Sequence, residues 1–182
     1  ETAIENFKIA PKLVRGYFQN VNSVIATLPK YKLEIINHLD SIESVSGIPI
    51  EYQAFHFRRG DYLENSDSLG ILGPNYYKQT RSEELPLIIC TDDINAIAEI
   101  SADFPEAIII GPNEASVWQS FKILSKAKKL TIANSTFSWW AGVLAASDNA
   151  EVIKPLKWNK HQTLSNEYLR HPFFVESESV FA

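Results

Sequence analysis

Cysteine occurs once in this chain, at Cys90, and methionine does not occur at all. A single thiol closes no intrachain disulfide, which suits a reducing compartment. Cys90 lies in an apolar run, residues 85–90, and reads as a small core side chain. Excess positive charge is also missing: 17 Lys and Arg stand against 22 Asp and Glu, a net charge of -5. Nucleic-acid binding needs an electropositive surface, so it is not expected, and an anionic ligand would have to be held by a local cluster. No apolar run approaches the roughly 20 residues that span a bilayer as a helix, and no secretory leader is legible. Asp-x-Asp, a clustered His/Cys set, Gly-x-Ser-x-Gly and the Walker lysine loop are all missing. Neither a metal centre, nor a serine-esterase elbow, nor a P-loop is therefore expected. The chain begins at Glu1 without a methionine, and we expect it to be a piece of a longer protein.

What is present is an alternation. The hydrophobic fraction of 45% is enough for one globular domain. Residues 1–47 read as an amino-terminal segment, with Pro11 and Gly16 as punctuation, and a helix over 21–39 broken near Pro29. From 48 to 154, five short apolar runs read as strands: 48–57, 85–90, 107–110, 130–133 and 151–153. Helical patterns separate them at 75–84 (capped by Asn75), 94–103 (begun by Asp92 or Asp93), 117–126 and 137–145, the third opened by a possible Ser116/Gln119 capping box. Strands alternating with helices predict an α/β fold, a Rossmann-like parallel sheet with flanking helices. Residues 155–182, with Trp158, Tyr168, Phe173 and Phe174, read as an irregular tail wrapping back on the core.

Each predicted strand ends in polar residues, and parallel strands bring those ends to one rim, where ligands bind in open α/β sheets. The first ends in His56-Phe57-Arg58-Arg59-Gly60-Asp61-Tyr62. Arginine's planar fork suits a pyrophosphate, so the run points to a phosphorylated, nucleotide-linked ligand; a surface ion-pair cluster is the plainer alternative. Successive strand residues point to opposite faces, so one arginine can reach the ligand while the other pairs with Asp61 or a neighbouring acid. His56, inside the strand, reads first as a core imidazole. Asp92 and Asp93 end the second strand and are candidates for reading a nucleoside, although Asp93 is equally a helix cap. The fourth strand ends in Asn134-Ser135-Thr136-Phe137-Ser138-Trp139-Trp140, where a helix start offers free amides and a favourable dipole to an anion. Plain capping by Ser135 or Thr136 is compatible with that. Asn134-Ser135-Thr136 also spells a glycosylation sequon and Arg59-Gly60-Asp61 an adhesion tripeptide, neither expected to be used. Trp139 and Trp140 read as packing residues.

The His56–Tyr62 run resembles the arginine motif shared by α1,2-, α1,6- and protein O-fucosyltransferases. The Asn134–Trp140 run resembles a second hallmark of glycosyltransferase family 11, the α1,2-fucosyltransferases. Gly70 with Tyr76-Tyr77, then Thr91-Asp92-Asp93-Ile94 and Pro155 to Trp158, follow in the family's order, and Gly16-Tyr17-Phe18-Gln19 upstream is similar too. The family's glycine-rich amino-terminal segment is absent, so the chain resembles the carboxyl-terminal, donor-binding part of a member. It departs from the pattern at Ser120, where an acid is usual, and at Ala127, where a cysteine is usual. The resemblance implies the donor-binding lobe of a GT-B-type enzyme. It implies inverting transfer of L-fucose from GDP-fucose to a galactose 2-hydroxyl of a glycan, without a metal or other cofactor. Arg58 would be catalytic, bonded to the phosphate, with Arg59 holding the loop through Asp61; His56, Arg59, Asp61, Asp92, Asp93, Asn134, Ser135, Thr136 and Ser138 would bind substrate. Asp61 is a conceivable general base, expected to be engaged with an arginine. Another nucleotide sugar as donor, a non-catalytic nucleotide-sugar-binding fragment, and a plain scaffold with structural arginines remain alternatives. A bacterial cytoplasmic setting, with peripheral membrane contact and a role in surface polysaccharide synthesis, is the expected context.

Overall fold

The computed structural model describes residues 18–161 and 169–182. Pro11, Gly16, Tyr17 and Tyr168, singled out above, lie outside the described residues. Helix α1 (Val21–Ser41) opens the described chain, capped by the Asn20 side chain, and Pro29 sits inside it without ending it. The strands β1 (Gln53–Phe57), β2 (Leu87–Thr91), β3 (Ile108–Ile110), β4 (Lys129–Thr131) and β5 (Glu151–Pro155) follow. Between them lie α2 (Ser66–Leu69), α3 (Pro74–Lys78), α4 (Ile97–Asp103), α5 (Val117–Ser125) and α6 (Thr136–Ser147).

Among the described residues the predicted five-strand sheet is a six-stranded one, because the tail contributes β6 (Phe174–Ser177). The order is β3-β2-β1-β4-β5-β6 and every neighbouring pair is parallel. This is a Rossmann-like α/β sheet. The tail strand is hard to read because it is a short edge strand, buried only at Phe174, with no apolar run. Chemistry holds it: Lys154, buried in β5, pairs at 3.0 Å with Glu176, its register partner on β6, and Arg170 takes the other Glu176 oxygen at 3.0 Å. These hydrogen bonds, Arg170 foremost, hold the Glu176 carboxyl below its ordinary range. The tail's end also packs back, with Val180 O accepting from Gly73 N at 2.7 Å and Phe181 bridging Leu72. Gly70, at φ +75, is needed there, since a Cβ would meet Phe181 at 2.5 Å.

Two other boundaries move furthest. The first strand begins at Gln53 rather than 48, where its partner β2 begins; Gly47 (φ +79) keeps the approach a turn and Ile50 is exposed. The third helix is short, capped at Gly73 with no side-chain cap rather than at Asn75. It stops where the buried Gln53 side chain captures Thr80 O (2.8 Å) and Ser82 N (2.7 Å). The Ser116/Gln119 capping box is formed as expected.

Alternate strand residues face two cores. Ala54, Ile88, Leu130, Ile132 and Val152 pack with α1, α5 and α6, while Phe55, Phe57, Leu87 and Ile89 pack against α3 and α4 with Tyr76, Tyr77 and Phe104. Trp139, fully buried on α6, donates its indole N–H to Leu169 O at 3.0 Å and meets the Phe174 ring at 6.3 Å. A Phe174→Ala variant should therefore lose about 3–5 kcal/mol of unfolding free energy, the usual range for a buried Phe. Urea denaturation reads this directly; a loss below about 1 kcal/mol would place β6 outside the cooperative core.

Candidate active site

The chain leaves β1 toward β2 on one side, and β4, on the other side of β1, leads on to β5. The switch point of the sheet is therefore the gap between β1 and β4, and its carboxyl end is the natural ligand crevice. A cavity of about 540 Å³ opens there. The end of β1 contributes His56, Arg58, Asp61 and Tyr62. The end of β2 adds Cys90, Thr91 and Asp92, and the turn after β3 adds Gly111 and Pro112. Ser135, Thr136 and Phe137 come from the start of α6, and Val117 and Ser120 from the start of α5.

Register explains the charge at its centre. In the β1–β2 ladder Phe57 pairs with Thr91, so Arg58 and Asp92, one step beyond, face one another. Arg58 Nη1 donates to Asp92 Oδ2 and Nη2 to Asp61 Oδ1. The other Asp92 oxygen accepts from Arg59 N (2.9 Å) and Gly60 N (3.1 Å). Asp92 thus gathers both the guanidinium and the loop. Gly60 permits the approach, because a Cβ there would lie 2.6 Å from Asp92 Oδ2. The Arg58 guanidinium also lies over the Tyr62 ring at 5.3 Å, and its Nε is buried with no partner among the described residues. Tyr62 donates to Asn134 O at 2.8 Å, tying this loop to the β4–α6 turn.

The α6 N-terminus lines the same cavity as the arginine. Ser135 is the N-cap in extended conformation, yet its side chain caps no amide. Thr136 Oγ1 donates to Gln19 Oε1 at 3.1 Å. The helix start thus keeps its dipole and amides for an anion in the cavity.

Six of the ten sequence candidates line this cavity: His56, Arg58, Asp61, Asp92, Ser135 and Thr136. Four do not, and their contacts are structural. Arg59 turns to Glu99 (2.8 Å) and Asp93 (3.7 Å), so it does not hold the loop through Asp61; Arg58 takes that carboxylate. Asp93 caps the following 3-10 turn by accepting from Asn95 N at 2.9 Å. Asn134 donates to Leu69 O, Gly70 O and Trp158 O (3.1, 3.2 and 2.9 Å), pinning two loops to the turn. Ser138, fully buried, donates back to Ala133 O and Ser135 O. Asp92 lines the cavity with both oxygens engaged, which ill suits the nucleoside-reading role expected of it. Tyr62, Ser120, Val117 and Phe137 were not among the candidates. The Ser116/Gln119 capping box marks the start of α5, and so could have brought Val117 and Ser120 forward.

The floor is neutral. Burial pushes the Cys90 thiol up to about 12, so it offers no thiolate. His56 is 3% exposed, meets the Phe137 ring at 5.4 Å and has no partner at Nδ1 among the described residues. Burial above all holds its imidazole down at about 4; Asp92 opposes this and Arg58 adds to it. No group of three or more His, Cys, Asp or Glu side chains is arranged to hold a metal among the described residues. Nor, among them, is any helix long and apolar enough to cross a membrane.

Comparison with known proteins places this geometry in context. The family model described as Glycosyl transferase family 11 matches residues 11–172. The O-antigen biosynthesis glycosyltransferase WbnK of Escherichia coli is 30% identical over 138 residues, covering 69% of this chain and 45% of that protein. An alpha-1,2-colitosyltransferase of Escherichia coli is 32% identical over 127 residues, covering 61% of this chain and 42% of that protein. The chain thus spans less than half the length of these two curated relatives. The crystal structure of NodZ alpha-1,6-fucosyltransferase co-crystallized with GDP matches with a TM-score of 0.37 and 18% identity, covering 62% of this chain and 41% of that one, a likeness too weak to bear on the site.

The His56 imidazole makes stability depend on pH. The unfolded chain binds a proton there from about pH 6.5, the folded chain only near 4. Stability from this group is complete above pH 6.5, falls between 6.5 and 4, and is flat below, a change of about 3 kcal/mol. Urea unfolding at pH 7, 5.5 and 4 should show His56→Leu losing less stability than wild type over that window, by about that amount. Parallel curves would show that the imidazole is not held neutral.

Proposed function

The chain belongs to glycosyltransferase family 11, and on that footing we propose that it binds the nucleotide-sugar donor of an inverting fucosyl-type transfer. The observation that carries this reading is the pairing of Arg58 with the α6 N-terminus across the switch-point cavity. The donor is GDP-fucose and the acceptor a galactose 2-hydroxyl of a glycan, so that the product is an α1,2-fucoside. The chain is the donor-binding lobe of a two-lobed, GT-B-type enzyme. Escherichia coli relatives, one named for O-antigen biosynthesis, support a role in bacterial surface polysaccharide synthesis; a cytoplasmic setting is part of the proposal.

Arg58 does the charge work. As the bond from the anomeric carbon to the bridging oxygen breaks, negative charge grows on the departing diphosphate. A guanidinium and a helix start already in place neutralise it without reorganising, and a donor of this kind contributes about 3–4 kcal/mol. The reaction needs no metal on this reading, because fixed positive groups take the part a divalent ion would otherwise play. Ser135 and Thr136 hold the remaining phosphate oxygens at the dipole's positive end. The largely apolar far end of the cavity, Pro112, Ala115 and Val117 with the Ser120 hydroxyl, receives the base. His56 contacts the donor from the floor as a neutral ring.

A second donor sugar deserves equal testing, because one relative is named for colitose, a deoxy relative of fucose. A calorimetric panel of GDP, GDP-fucose, GDP-colitose, GDP-mannose, UDP-galactose and ADP-heptose separates the readings. The fucosyl reading expects GDP-fucose to bind and the UDP and ADP sugars to fail. Arg58→Ala should weaken GDP-fucose binding by about 10- to 100-fold, the worth of a lost charged hydrogen bond, with the chain still folded. Arg58→Lys should fail as well, since a point charge cannot replace the planar fork. Unchanged donor affinity in the alanine variant would refute the assignment.

A further inference from the structure

Arg58 carries two carboxylates, and they are held very differently. Asp92 is 25% exposed at its side chain and binds two backbone amides besides the guanidinium. Asp61 is 67% exposed, and Arg58 is its side chain's sole described partner. A diphosphate arriving at the open edge of Arg58 competes for the same N–H groups. Displacing Asp92 would strip the Arg59 and Gly60 amides as well; displacing Asp61 breaks one exposed ion pair, a contact of small worth. Asp61 is therefore the carboxylate that moves.

Its backbone stays where it is. Asp61 lies in the 3-10 turn Gly60–Asn65. The next residue, Tyr62, is fastened to Asn134 O at 2.8 Å, and Leu63 N bonds Arg59 O at 2.9 Å. Only the side chain swings, driven off the phosphate by like charge toward the open side of the cleft. Other bases are poorly placed among the described residues. Asp92 is locked, His56 is sunk in the floor and held at about 4, and no further carboxylate lines the cavity.

Given the donor reading above, on which this rests, we propose that Asp61 is the general base of the transfer, released from Arg58 by the donor's own diphosphate. The acceptor hydroxyl gives its proton to an Asp61 oxygen. The acceptor oxygen's lone pair meanwhile bonds to the anomeric carbon from the side opposite the diphosphate. The bond to the bridging oxygen breaks, its electron pair leaves with the nucleoside diphosphate, and Asp61 then passes the proton to water. In the free protein the same carboxylate fills the phosphate's place on Arg58, so the base is delivered only when donor is bound.

The two roles give opposite signs in one variant. Asp61→Asn removes the competitor for Arg58 and the base together. In the full chain, GDP measured by calorimetry should bind several-fold more tightly to Asp61→Asn than to wild type. Turnover of GDP-fucose with a galactoside acceptor should fall about 100-fold or more, and the acidic limb of the pH–rate profile should vanish. Tighter GDP binding with wild-type turnover would overturn the base assignment, as would a wild-type chain that binds GDP and transfers nothing. Weaker GDP binding in Asp61→Asn would overturn the exchange, by showing that Asp61 holds Arg58 in position. A wild-type chain that binds no GDP would instead remove the donor reading itself.

Discussion

The site depends on one carboxylate. Asp92 stands where the parallel register of β1 and β2 runs out, directly opposite Arg58. It collects the guanidinium and two successive loop amides on its two oxygens. The strand ladder therefore ends in an ion pair instead of fraying, and the arginine is held at the rim of the sheet before any ligand arrives. On the proposed reading, a partly buried guanidinium whose Nε has no partner among the described residues, and one of whose carboxylates is loosely held, serves as a preorganised anion receptor. The requirement for glycine at position 60 follows from the same contact, since Asp92 occupies the space a side chain would need.

The other half of the receptor is positioned by packing. α6 is buried along most of its length against β4, β5 and β6, with Trp139 and Gly142 setting its approach to the sheet. Its N-terminus accordingly opens on the switch-point cavity that Arg58 also lines. Asn134 and Tyr62 fasten the β4–α6 turn to the loop after β1. The two halves of the proposed phosphate site are thus fixed relative to one another by hydrogen bonds that involve no ligand. The exposed member is Asp61, the group to which the proton transfer is proposed.

Sequence reading reached the architecture because its signals were local. Apolar runs bounded by polar strand ends, and the Ser116/Gln119 box, mark the elements of a parallel sheet without reference to anything distant. It missed β6 because an edge strand with one buried residue has no periodic signature. It also stretched β1 and α3, whose limits are set by partners far along the chain, Leu87 and the buried amide of Gln53. Within the site, the arginine-rich run was conspicuous, but which arginine meets the cavity was not. Arg58 and Arg59 are adjacent in sequence, and only the positions of Asp92 and Glu99 send one to the cleft and the other to α4. Asn134 and Ser138 carry as strong a motif signal as Ser135 and Thr136, yet they serve the scaffold, because motif residues include those that shape a turn as well as those that touch a ligand.

The central claim is that a diphosphate sits between Arg58 and the start of α6. Titration of isotopically labelled protein with GDP, followed by amide and arginine Nε resonances, tests it most directly. The account predicts the largest shifts at Arg58 Nε–H and at the backbone amides of Thr136 and Phe137, with Arg59 Nε–H little affected. Saturable binding with its shifts centred elsewhere, and those resonances unmoved, would contradict it.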